Sequence, residues 1–227
     1  MCVGKPYIGG MNTPEPLEDS LKYKQWRAAM AAHGNTVDAV RPLSLIHKPN
    51  GELLFALLSA DMRDPEGQPY PPVVLLRGAF VVIVTALTVA ETGEEYLLLV
   101  RQRRVADGDM LYEHPSGMCD ATDDPLEVAV KELAEETGLH LPPQAFVPLN
   151  DRLLFTSPGL LDEGGWCYYV RHTLREHDLQ LLLGQTLGNP AEQEFIQLHL
   201  ATPQEALSLS RNITTLAATW LYLNRPQ

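Results

Sequence analysis

A layered domain, either α+β or α/β/α, is predicted by three observations. Strand-like and helix-like stretches are mixed, and most strand-like ones follow one another directly. The stretch VVLLRGAFVVIVTAL (73–87) is long and apolar, as a buried strand requires. The stretch Pro125–Thr137 carries helix start and stop signals that agree with one another.

Residues 1–17 mix Gly, Pro and acidic residues without periodicity and read as a loose lead-in. A helix follows in SLKYKQWRAAMAAHG, with Ser20 as cap, Leu21, Tyr23, Trp26 and Met30 as apolar positions, and Gly34 as its end. Two strand-like stretches between Val37 and Arg63 flank the turn Pro49-Asn50-Gly51 and predict a hairpin. Asp64–Pro72 is dense in breakers and reads as a linker or subdomain boundary. The long apolar strand comes next, interrupted at Arg77-Gly78. EEYLLLVRQRRV follows across the turn Glu91-Thr92-Gly93. A short LYEHPSG stretch leads to the helix at Pro125. Later strands are expected at AFVPLNDRLLF, GWCYYVRHTL and EFIQLHL, and helices at Pro203–Leu209 and Ile213–Leu223.

Composition removes several function classes. Lys and Arg number 17 against 29 Asp and Glu, a net charge of −12. That balance disfavours nucleic acid, which needs a basic face, and suits a protein that loads divalent cations. No apolar run approaches the roughly 18 residues of a membrane span. The first twenty residues lack the apolar core of a signal peptide. Cys2, Cys119 and Cys167 form neither a disulfide framework nor a zinc pattern. The expectation is a cytoplasmic protein with free thiols.

The chemistry lies in GMCDATDDPLEVAVKELAEETGLHL, Gly117 to Leu141. Asp124 is placed to cap the helix, Pro125 takes its first position, and Glu127 is spaced for a capping box. Gly138 is placed as the left-handed stop. Leu126, Val130, Leu133 and Thr137 share one face, and Glu132, Glu135 and Glu136 share another. Carboxylates at i, i+3 and i+4 repel, by a few tenths of a kcal/mol per pair. A sequence selected for stability alone would intersperse lysines. A hard cation such as Mg²⁺, which prefers oxygen ligands, removes the conflict.

This stretch resembles the Nudix box, G-x5-E-x7-R-E-U-x-E-E-x-G-U with U aliphatic. Gly117, Asp123, Lys131, Glu132, Leu133, Glu135, Glu136, Gly138 and Leu139 fall in register. Asp123 stands where the family has Glu, and Lys131 where it has Arg. The resemblance implies a Nudix α/β/α sandwich with a mixed sheet, binding Mg²⁺ or alternatively Mn²⁺. It implies Glu132 and Glu136 as direct metal ligands, Glu135 joining directly or through water, and the Ser116 carbonyl as a further ligand. A lysine offers a point charge where arginine offers a rigid fork, so the glutamates are expected to be held less firmly here.

From about Leu21 onward the chain looks like the nucleoside-diphosphate-sugar pyrophosphatases of this superfamily. Arg77-Gly78, Gln102-x-Arg104-Val105, Glu113-x-Pro115-Ser116-Gly117, Ser157-Pro158-Gly159 with Asp162-Glu163, and Lys24-Gln25-Trp26 carry that likeness. It implies a small N-terminal helix-and-strand subdomain at 18–72 that forms a homodimer, and a hydrolase domain at 73–227 with its box at 117–139. It implies Glu163 as the base, with Asp162 as the alternative, and Glu135 as a further catalytic acid. Glu113 is a candidate second-metal ligand. Arg77 and Arg104 are candidates for the substrate phosphates, and Trp166 for a base or sugar. Glu194 resembles a late acid of the subfamily. The expected substrates are ADP-ribose or ADP-glucose, then UDP-glucose, cut to a nucleoside monophosphate and a sugar phosphate. The competing readings are a Nudix-fold nucleotide-sugar sensor or interaction module with weak catalysis, and a hydrolase of damaged nucleoside triphosphates.

Overall fold

The computed structural model describes residues 13–120, 122–187 and 195–226; Cys2 and Glu194 lie outside the described residues, as do 1–12 of the expected lead-in. Of that lead-in, Glu15 is tied down: its carboxylate accepts the Leu53 N–H at 2.9 Å, and Leu17 is buried.

Ser20 starts helix α1 (Leu21–Ala32) as its sequence context demands, its hydroxyl oxygen accepting the Tyr23 N–H. The antiparallel hairpin β1 (Thr36–His47) and β2 (Leu53–Arg63) follows. Asp64–Pro72, expected as a linker or subdomain boundary, is instead a second hairpin turn. The Asp64 carboxylate accepts the Gln68 N–H at 2.7 Å, and β2 pairs antiparallel with β3 (Val73–Leu76). Trp26, Leu58, Met62 and Leu76 form the core of this three-stranded unit.

The long apolar run is therefore two strands, not one. Gly78 divides it with a φ of 84°, a conformation that costs glycine nothing and other residues strain. A Cβ there would also press on the Lys22 stem, 3.1 Å away. The first compact unit runs to Gly78 and takes in Ser157–Glu163 as well; the second holds Ala79–Thr156 and Gly164–Gln227. The boundary thus follows Gly78 rather than Pro72.

The second unit is built on β4 (Ala79–Val89), β5 (Glu95–Arg103), β6 (Met110–Glu113), β7 (Ser116–Met118), β8 (Val147–Pro148), β9 (Leu154–Phe155), β10 (Gly164–Leu174), β11 (Thr186–Leu187) and β12 (Ile196–Ala201). Among the described residues these form one sheet of order β11-β12-β5-β4-β10-β8, with β6 on β5, β7 on β4 and β9 on β10. β4 and β10 run parallel and the other pairs antiparallel, so the sheet is mixed. Alternation along β4 feeds two cores. Val81, Ile83 and Leu87 pack with Val128 and Leu133 of α2 (Pro125–Thr137). Phe80, Val82 and Val84 pack on the other face, in the cluster that holds Ala218 and Tyr222. The sheet lies between helices, the α/β/α arrangement that the sequence implied.

Two stretches differ from expectation. AFVPLNDRLLF is not a continuous strand. The Asn150 side chain donates to the Arg152 and Gly165 carbonyls and accepts the Cys167 N–H at 2.7 Å, stitching an irregular loop. Helix α3 (Glu176–Leu183) went unpredicted. It starts one residue after β10, with no turn signal, and buries only Leu179 and Leu182. The closing helices α4 (Pro203–Leu209) and α5 (Ile213–Leu223) match the sequence reading, α4 with a full capping box from Thr202 and Glu205. None of the described helices is long and apolar enough to cross a membrane.

His114 lies buried beneath α5. The Thr219 hydroxyl donates to the Thr215 carbonyl, so His114 Nε2 donates to Thr219 Oγ1 at 2.8 Å. Its Nδ1 is buried without a hydrogen-bond partner. Burial pushes the imidazole pKa from 6.5 down to about 3. Below pH 6.5 the unfolded chain takes up a proton that the folded chain refuses. Stability should then fall with acidification, by up to about 1.4 kcal/mol per pH unit from this residue. The window closes near pH 3. Urea melts of wild type and His114→Gln between pH 4 and 7 should show a shallower acid decline in the variant; parallel declines would refute the assignment.

Candidate functional site

The site grows from α2. The Asp124 carboxylate accepts the Leu126 N–H at 2.9 Å, and Gly138 closes the helix in the left-handed region. Glu127 does not complete the expected capping box. The Asp124 N–H donates to the Thr122 hydroxyl, which donates in turn to Glu127. The inserted hydroxyl does the same work one step removed. Leu133 and Thr137 are fully buried on the apolar face.

The three glutamates differ in setting. Glu136 is buried, 3% exposed, and its Oε2 accepts the Ser116 N–H at 2.9 Å. Glu132 lies over Gly117, where a Cβ would fall on its side chain. Gly117 stands opposite Val81 in the β7–β4 pair, so Glu132 is received on the α2 face of the sheet. Glu135 is half-exposed. The Lys131 ammonium stands 3.7 Å from Glu132 and 3.1 Å from Glu135. It bridges two of the acids as a point charge, and its own exposure makes each pair weak.

Among the described residues, no three His, Cys, Asp or Glu side chains converge into a ready cation cage. The donor set nevertheless fits a hard divalent ion in kind. It is all oxygen, and two of its carboxylates are fixed against the Ser116–Gly117 strand by a hydrogen bond and by the space that glycine leaves. Glu132 and Glu136 would hold the ion, with Glu135 and the Ser116 carbonyl available beside them.

Glu113 and Arg104 form a separate cluster in the same unit. Arg104 Nε donates to Glu113 Oε2 at 2.7 Å. Asn212 donates to the other oxygen of the same carboxylate. Asn212 is also the cap of α5, so Glu113 links β6 to the start of that helix. Nothing in the sequence reading pointed to Asn212 or to this contact. Trp166 is partly buried and packs against the α2-side core, as a framework residue would. On the opposite face, Phe80, Phe155, Thr156, Cys167, Ile213 and Thr214 line an apolar cleft. Burial pushes the Cys167 thiol up to about 11, so it stays a neutral thiol there.

The remaining candidates belong to the N-terminal unit. Leu160 and Leu161 N–H groups both donate to the Ser157 carbonyl, which closes the Ser-Pro-Gly turn. Asp162 Oδ1 accepts the Arg77 N–H at 2.6 Å and the Gly78 N–H at 3.1 Å. Burial raises the Asp162 pKa, while those two donors and the Lys22 charge oppose the rise. Glu163 Oε1 lies 3.3 Å from the Arg77 guanidinium, which also stands 6.0 Å above the Phe55 ring. The structure thus brings Arg77, Asp162 and Glu163 together. It gives the two neighbouring acids different surroundings.

The chain is similar to known proteins. The chain is 31% identical over 177 residues to "Nudix hydrolase 14, chloroplastic" from Arabidopsis thaliana, a stretch covering 74% of this chain and 57% of that protein. It therefore spans little more than half the length of that curated relative. A crystal structure of an ADP compounds hydrolase is similar in fold, with a TM-score of 0.57 at 18% identity, covering 83% of this chain and 92% of that one. The NUDIX domain model matches residues 79–220, the whole of the sheet from β4 onward with the glutamate helix at its centre, and the chain belongs to the Nudix family.

Proposed function

We propose that this protein hydrolyses the diphosphate bridge of a nucleoside diphosphate sugar, ADP-ribose or ADP-glucose first and UDP-glucose second. The products are a nucleoside monophosphate and a sugar phosphate. One observation carries this reading: Glu132 and Glu136 are both seated against the Ser116–Gly117 strand, one by glycine's missing side chain and one by a backbone N–H. Acids selected only for solubility need no such seats.

A bound Mg²⁺ would neutralise phosphate charge and lower the pKa of a water at the site. The protein's own residues do the rest. Glu163 accepts the proton of the attacking water, with the Arg77 guanidinium beside it. Arg104 offers a guanidinium for phosphate oxygens. ADP-sugars stand first because Lys24-Gln25-Trp26 resembles that branch. The small three-stranded unit is proposed to mediate a homodimer, and the compartment is proposed to be the cytosol.

The test is a substrate panel with Mg²⁺: ADP-ribose, ADP-glucose, UDP-glucose, GDP-mannose, dinucleotide polyphosphates and nucleoside triphosphates, read as phosphate released by a coupled phosphatase. An ADP-sugar is expected to give the highest kcat/KM. Preference for triphosphates, or no turnover of any member, would overturn the reading.

A further inference from the structure

The loop that carries Glu163 is fastened to the small sheet by a continuous set of bonds. The Leu75 N–H of β3 donates to the Leu160 carbonyl at 2.9 Å. Leu75 also bridges to Leu161 in parallel fashion. The Asp162 N–H returns the contact to the Leu75 carbonyl. Asp162 then turns its carboxylate onto two consecutive backbone N–H groups, Arg77 and Gly78, where the chain leaves the small sheet. One residue on, Glu163 pairs with the Arg77 guanidinium.

Lys22 completes the device from beneath. It is a lysine only 3% exposed, and its Nζ donates to the Leu53 carbonyl at 2.9 Å. Its stem lies under Gly78, in space that a Cβ would invade. Lysines are seldom buried without a charged neighbour to answer them. Here the Lys22 charge acts on Asp162, and helix α1 thereby supports the Arg77–Gly78 corner.

We propose that Asp162 is a positioning residue, a clamp that locks the Ser157–Glu163 loop to β3 and α1, so that the N-terminal unit holds Glu163 in place. This rests on Glu163 being the base of the proposed reaction. The chemistry required of Asp162 is only that of an acceptor for two N–H donors. An amide oxygen can fill that role; a methyl group cannot.

That difference gives the test. Asp162→Asn should keep kcat within about 3-fold of wild type, while Asp162→Ala should lose about 30-fold or more in kcat with KM little changed, the signature of a misplaced catalytic group. Hydrogen exchange gives a readout that does not depend on turnover. The Arg77 and Gly78 amides should be protected in wild type and Asp162→Asn and exposed in Asp162→Ala. Equal loss in the Asn and Ala variants would mean that the Asp162 charge itself enters the chemistry, and would overturn the proposal. So would an Ala variant with wild-type kcat or unchanged protection at both amides. If the Ala variant does not fold, the Asn variant decides alone: full loss of activity overturns the clamp, and retention supports it. Glu163→Gln run in parallel separates the two readings. If it retains turnover, the base assignment fails, and the exchange data still judge the clamp.

Discussion

Glu136→Gln is expected to lower turnover at least about 100-fold while leaving the fold intact, the scale of losing a metal-binding or acid-base group. The substitution conserves volume. The new amide oxygen can still accept the Ser116 N–H that Glu136 accepts at 2.9 Å. What vanishes is a buried negative charge, one turn from Glu132 and two residues from the helix end at Gly138. Two features oppose that charge: a like charge at i−4, costing roughly a few tenths of a kcal/mol, and the negative end of the helix dipole, costing about 0.3–1 kcal/mol. The variant should therefore melt at the same temperature as wild type or a few degrees higher in metal-free buffer, while activity collapses. Residues that serve function at a cost in stability behave in this way. Turnover of ADP-ribose with Mg²⁺ and a thermal melt in EDTA measure the two effects on one preparation. Retained turnover would remove Glu136 from the reaction.

The sequence made α2 legible because its signals are local. Asp124, Pro125 and Gly138 each act within a turn of their own position, and the structure places all three as caps or first residues. The glutamate face followed from the same helical period. The unit boundary was not legible, because it depends on pairing between β2 and β3. An apolar run looks the same whether it enters one sheet or two, and only the φ of Gly78 separates them. Asp162 and Glu163 show the same limit at the site. They are adjacent acids in one loop, and only the family resemblance ranks them. Their difference comes from the Arg77 and Gly78 N–H groups, more than 80 residues earlier. Glu113 was a candidate ligand by resemblance, but Asn212, 99 residues away, occupies one of its oxygens. Local chemistry was readable; the partners brought in by topology were not.

Gly117→Ala is the second large effect expected, and it tests the seat of Glu132. Gly117 lacks a left-handed backbone, so alanine brings no conformational strain and the added methyl isolates one contact. That methyl would occupy the space of the Glu132 side chain. Either Glu132 swings out or β7 shifts from β4, and overpacking of this kind costs about 1–3 kcal/mol. Displacing a carboxylate proposed to hold the cation should weaken divalent binding by about 10–100-fold, as loss of ligand support generally does. Turnover at limiting Mg²⁺ should fall with it and recover in part at saturating Mg²⁺. A double variant makes the argument sharp. In Gly117→Ala with Glu132→Ala the obstructing side chain is gone, so stability should return toward that of Glu132→Ala alone, a coupling of about 1–3 kcal/mol. Activity should not return, because the ligand is gone as well. Denaturant melts of the four proteins in the cycle, with calorimetric Mn²⁺ titrations of the wild type and Gly117→Ala, give both numbers. Additive melts and unchanged Mn²⁺ affinity would show that Glu132 does not rest on Gly117, and the seat on which the proposed chemistry depends would be absent.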